Sequence, residues 1–121
     1  MVDAVELCRF DEIKEGEARG FAVEGLRRKV VVVRKNGSVY GYLDSCPHYA
    51  GGTPMAWKTN AYLDDEGGHI ACHSHGALFE IETGDCVLGP CLGQALKKVP
   101  LTIAANGTIV ADIREYVVKA A

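Results

Sequence analysis

Two short segments, Cys46-Pro47-His48 and Cys72-His73-Ser74-His75, decide the reading of this 121-residue chain. Each offers a thiol and imidazole pair, Cys46 with His48 and Cys72 with His75, and 23 residues lie between His48 and Cys72. Two Cys and two His in paired boxes is metal-ligand spacing. Residues i and i+2 do not share a helical face, so the first box reads as a loop, with Pro47 stiffening the backbone between ligands. The second box runs into Gly76, which predicts a tight turn. Two loop tips, each with one Cys and one His, can close on one inorganic centre.

Four such ligands admit two centres. A single Zn²⁺ would take all four in a tetrahedral cage. A [2Fe–2S] cluster would take both Cys on one iron and both His on the other. Zinc fingers normally pair Cys with Cys and His with His. Here each box mixes the types, which suits two irons that each collect one ligand from each loop. The boxes Cys46-Pro47-His48 and Cys72-X-X-His75-Gly76 resemble those of Rieske iron–sulfur proteins. The run Gly76-Ala77-Leu78-Phe79-Glu80-Ile81-Glu82-Thr83-Gly84 is similar to the segment after the second box in Rieske ferredoxins, and Gly89-Pro90 resembles the proline loop that covers the cluster. The resemblance is strongest from about residue 40 to residue 95.

That resemblance implies an all-β, Rieske-type fold of three small antiparallel sheets. A single domain, 1–121, would carry a cluster-binding lobe on two loops, about residues 44–93, over base strands at about 5–43 and 95–114. Cys46 and Cys72 would bind one iron as thiolates, and His48 and His75 the other as neutral imidazoles whose surface edges form the electron door. The implied role is a one-electron carrier between a flavin-dependent reductase and an oxygenase or other acceptor, not itself an enzyme. A second implied role is the small subunit of a multi-chain oxidoreductase such as assimilatory nitrite reductase. A zinc-stabilised binding module is the alternative from another class, and a redox-sensing role has only the cysteines behind it. Respiratory-complex members pair an extra Cys from each box; the corresponding positions here are Gly51 and Ser74, so the chain resembles the ferredoxin-like branch. High-potential members place a Ser and a Tyr just after the second box, where Ala77 and Phe79 stand here. Without those hydroxyls the expected potential lies at the low end of the range, about −150 mV rather than about +300 mV.

Composition narrows the alternatives. A formal charge of −3 with no basic patch argues against nucleic acid. No apolar run approaches the roughly 18 residues of a membrane helix, and nothing at the start resembles a signal peptide. Five Cys is an odd count, so thiols or metal ligands are expected rather than a disulfide framework, in the cytoplasm. No Gly-rich dinucleotide fingerprint follows a strand, and no 2-His-1-carboxylate set is present for mononuclear iron. His69, His73, Cys86 and Cys91 fall outside the ligand pattern; packing is the expected role of both cysteines.

Strands are expected at Val5–Phe10, Ala18–Val23, Arg28–Lys35, Ser38–Leu43, His69–Ala71, Leu78–Ile81, Leu96–Ile103 and Thr108–Ile113. Asn36-Gly37 and Asn106-Gly107 are hairpin signals. Ile109, Ala111 and Ile113 alternate as one buried face. Pro100 implies an edge or a bulge, and Cys8 is expected half-buried, off the Val5/Leu7 face. The Gly-rich stretch 49–54 excludes a helix or a long strand. The loop from Met55 to Gly68 reads as tied down by Trp57 and Leu63, with a partner-docking role for Asp64, Asp65 and Glu66 as the sharper alternative. No long amphipathic helix is expected, and oligomeric state is not legible.

Overall fold

The computed structural model describes residues 4–45, 55–56, 60–64, 67–73 and 76–116. Among them are strands β1 (Ala4–Arg9), β2 (Ala18–Phe21), β3 (Val30–Lys35), β4 (Ser38–Leu43), β5 (His69–Cys72), β6 (Ala77–Glu80), β7 (Cys86–Leu88), β8 (Leu101–Ile103) and β9 (Thr108–Asp112). One 3-10 turn, Phe10–Glu12, follows β1. The strands form three antiparallel sheets, ordered β1-β9-β8, β2-β3-β4 and β5-β6-β7. The expected all-β architecture of three small sheets is what the chain adopts.

The valine run sets the layering. Val30 to Val33 are all fully buried. Alternate side chains of a strand face opposite ways. Val30 and Val32 accordingly join one core, and Val31 and Val33 another. The β2-β3-β4 sheet is therefore covered on both faces, which is why a continuous apolar run stands where a half-exposed strand would alternate. The base core holds Ile13, Leu43, Val99, Ile109, Ala111 and Ile113. The opposite core holds Tyr42, Met55, Tyr62, Ile70, Cys72 and Phe79, among others. Ile109, Ala111 and Ile113 form the alternating buried face expected of them.

The β3–β4 hairpin turns at Asn36 (φ 54°) and Gly37 (φ 77°), the left-handed pair a two-residue hairpin loop needs. Glu15 caps this turn: its carboxylate accepts the Gly37 N–H at 2.9 Å and the Asn36 N–H. The Gly37 bond first, and the Asn36 bond next, hold its pKa below the ordinary glutamate value.

Three details differ from expectation. β7 is not among the expected strands; three residues are too few to show a period, and the strand exists through its pairing with Leu78 and Phe79. The expected strand Leu96–Ile103 is divided at Pro100. Before it, the Leu43 N–H donates to the Lys97 carbonyl and the Val99 N–H to the Gly41 carbonyl, each at 2.9 Å. After it, the chain becomes β8 in another sheet. Pro100 needs no N–H partner at this crossing, and its carbonyl accepts the Asp112 N–H at 2.9 Å. Finally, a bulge between Glu6 and Cys8 shifts the β1 register, so Val5, Leu7 and Cys8 all pack on the base core. Trp57 and the 49–54 stretch lie outside the described residues.

Candidate metal centre

The first box comes directly after β4. At the end of that strand the Asp44 N–H donates to the Lys29 carbonyl at 2.9 Å, and the Ser45 N–H to the Leu43 carbonyl at 2.8 Å. The chain is thus held up to the residue before Cys46. Cys46, His48 and His75 lie outside the described residues, as do Gly51 and Ser74.

The second box sits at the tip of the β5–β6 hairpin. Cys72 ends β5 and pairs across to Ala77. The Gly76 N–H closes the turn on the Cys72 carbonyl at 2.8 Å. Ile70, Cys72, Ala77 and Phe79 share the inner face of the hairpin, two cross-strand pairs that are all completely buried. Of the four expected ligands, Cys72 is the one among the described residues, and its side chain is buried. His73, next in line, is exposed. His69 lies three residues back along β5, about 10 Å by strand rise. Its Nδ1 is 3.6 Å from an Asp64 carboxylate oxygen.

Cys86 and Cys91 are buried in the same core as Cys72. The Cys86 thiol donates to the Leu88 carbonyl at 3.3 Å. Among the described residues no three His, Cys, Asp or Glu side chains converge as a metal-ligand set. Both cysteines lie in the packed core, where a packing role is expected of them.

The loop bearing Gly89-Pro90 lies directly on the hairpin tip. A Cβ at Gly89 (φ 102°) would stand 2.8 Å from the Ala77 Cα and 3.2 Å from the Gly76 carbonyl oxygen. Only a residue without a side chain allows this approach. Val87, Leu88 and Leu92 stand exposed on this part of the molecule, Leu88 at 56 % and Leu92 at 63 %. A buried thiol beside alanine and glycine, under a close-packed loop, fits one thiolate corner of an iron–sulfur group. Ala77 and Phe79 bring no hydroxyl to it.

Two residues near the centre escaped sequence reasoning. Asp44 is the buried charged side chain of the described residues. Its Oδ1 accepts the Met55 N–H at 2.7 Å, and its Oδ2 accepts the Tyr62 hydroxyl at 3.1 Å. Burial, and next the Asp44 charge, push the Tyr62 pKa well above the ordinary tyrosine value. Tyr62 is the buried anchor of the inter-box loop, whereas Leu63 is half-buried and forms an isolated bridge to Ile70. Of the three acidic loop residues, Asp64 organises its own turn, since its carboxylate accepts the N–H groups of Gly68 at 2.9 Å and His69 at 3.3 Å. Asp65 and Glu66 lie outside the described residues.

A family model described as the Rieske [2Fe–2S] domain matches residues 3–110. The ferredoxin component of the naphthalene 1,2-dioxygenase system of Pseudomonas aeruginosa is 29 % identical over 109 residues, covering 90 % of this chain and 92 % of that protein. Apoptosis-inducing factor 3 of Mus musculus is 34 % identical over 85 residues, 69 % of this chain; the match spans 13 % of that protein's length. Among solved structures, the Sphingomonas yanoikuyae B1 ferredoxin superposes with a TM-score of 0.70 at 29 % identity, covering 89 % of this chain and 96 % of that one.

Proposed function

The chain belongs to the Rieske [2Fe–2S] domain family, and on that premise we propose that it is a one-electron carrier serving a flavin-dependent reductase and an oxygenase or other acceptor. The observation that carries the proposal is Cys72: buried at a hairpin tip, opposite Ala77, and capped by the Gly89 loop. Its proposed co-ligand on one iron is Cys46, with His48 and His75 on the other. When bound, a [2Fe–2S] cluster supplies a reversible one-electron step.

This chain's own residues give that step its setting. The paired strands β5 and β6 hold Cys72 rigidly, and rigid elements keep a site in geometry better than loops do. The side chains of Ala77 and Phe79 carry no hydroxyl to donate toward the thiolate, which leaves reduction harder. Exposed Val87, Leu88 and Leu92 offer an apolar surface that a docking partner would cover. The relative from Pseudomonas aeruginosa is itself a component of a dioxygenase system, which supports this partner class. On this reading the chain makes and breaks no substrate bonds, one Rieske domain accounts for the described fold, and the carrier works in the cytoplasm, where the thiols of Cys8 and Cys86 would persist. Among the described residues no helix is long and apolar enough to cross a membrane.

Iron and acid-labile sulfide analysis of anaerobically purified protein, followed by coulometric titration, tests the proposal. Two irons, two sulfides and one electron per chain are expected. A chain that takes up no electron after anaerobic reconstitution is not a carrier.

A further inference from the structure

A carboxylate is costly to bury unless its oxygens are satisfied. Asp44 is 5 % exposed and stands two residues before Cys46. Both of its oxygens are engaged, by the Met55 N–H and by the Tyr62 hydroxyl. Each of those partners continues to the second box. The Met55 carbonyl accepts the His73 N–H at 2.9 Å, and the Tyr62 carbonyl accepts the Ala71 N–H at 2.8 Å. Ala71 and His73 are the chain neighbours of Cys72. Two arms therefore leave one carboxylate and end on either side of the same ligand. The Tyr62 ring is backed by β2, where a Cβ at Gly20 would come within 3.0 Å of two ring carbons and collide with the hydroxyl.

Resting on the electron-carrier reading, we propose that Asp44 is a positioning residue: it locks the approach to Cys46 in register with Cys72, so that the two boxes present their ligands at a fixed separation. The cross-links span residue separations of 11 and 18. A general packing role would not require both arms to end beside Cys72. Asn at this position keeps an acceptor for the Met55 N–H and a donor for the Tyr62 oxygen, whereas Ala keeps neither. Tyr62→Phe removes one arm only.

The test uses the full chain, purified anaerobically, as wild type, Asp44→Ala, Asp44→Asn and Tyr62→Phe. Ile109→Val in the base core serves as a lesion away from the site. Iron and sulfide content, the low-temperature EPR line shape of the dithionite-reduced protein, and the half-life of visible absorbance under excess EDTA are measured. Asp44→Ala is expected to broaden the EPR signal and to shorten the half-life about tenfold, the factor that about 1.4 kcal/mol represents. Asp44→Asn should stay within about threefold of wild type, with Tyr62→Phe between the two. Ile109→Val should lower the melting temperature and leave the EPR line shape unchanged. Wild-type line shape and half-life in Asp44→Ala overturn the proposal. If Asp44→Ala does not accumulate folded, the same outcome in Tyr62→Phe overturns it. A wild-type chain that holds no iron and sulfide defeats the carrier reading, and with it this proposal.

Discussion

Replacing Ala77 by Ser puts a hydroxyl beside the Cys72 thiolate and is expected to raise the midpoint potential. Ala77 and Cys72 are direct cross-strand partners on the buried face of the β5–β6 hairpin. Such Cβ atoms lie about 4.5–5.5 Å apart, close enough for a Ser hydroxyl to donate to sulfur. A hydrogen bond to a charged group contributes about 1.5–3 kcal/mol net. The bond is stronger in the reduced, more negative state. Taking about half of its strength as the difference between redox states, and about 59 mV per tenfold for one electron, the rise is about 30–65 mV. The starting point is the low end of the family range, about −150 mV. Phe79 lies one pair further along the same face, so Phe79→Tyr in the double variant should add to the shift. Spectroelectrochemical titration of wild type, Ala77→Ser and the double variant reads it directly. An intact cluster with an unchanged or lowered midpoint in both variants would refute the reasoning. A wild-type midpoint well above about 0 mV would remove its starting point.

Gly89→Ala is expected to cost about 2–4 kcal/mol, because its Cβ meets backbone at 2.8 Å and φ is 102°; an unchanged melting temperature would contradict the close-packed loop. Cys86→Ala should keep full iron and sulfide and lose about 1–2 kcal/mol for a small buried void, whereas loss of iron would make Cys86 a ligand. Tyr42 is buried and donates to the Ile81 carbonyl at 2.6 Å. Burial first, and the Glu82 charge next, push its pKa up to about 12 from 10.0. The folded protein therefore holds this proton more tightly than the unfolded chain. The stability it contributes is complete below about pH 10 and is lost as the pH rises to about 12. Denaturant melts across that window should show a steeper decline in wild type than in Tyr42→Phe, and equal slopes would contradict it.

Much of this fold was legible because local signals agree with tertiary ones. The Val30–Val33 run is continuous because its sheet is covered twice. Asn36-Gly37 turns the chain where its backbone preference says it should. The features that stayed hidden depend on partners distant in sequence. β7 has three residues and no period, and Pro100 divides one apolar run between two sheets. At the site, residue type and spacing drew attention to both boxes, and of their four expected ligands Cys72 lies among the described residues, buried at its hairpin tip. Asp44 and Tyr62 gave no such signal. An acid and a tyrosine 18 residues apart carry no mutual pattern, and only the folded chain brings them within 3.1 Å.

The central claim is the mixed Cys/His [2Fe–2S] centre, and low-temperature EPR of the dithionite-reduced protein tests it most directly. A red-brown protein with a rhombic signal whose average g lies below that of a free electron is expected. A colourless, EPR-silent chain holding one zinc, and remaining so after anaerobic iron–sulfur reconstitution, would contradict it.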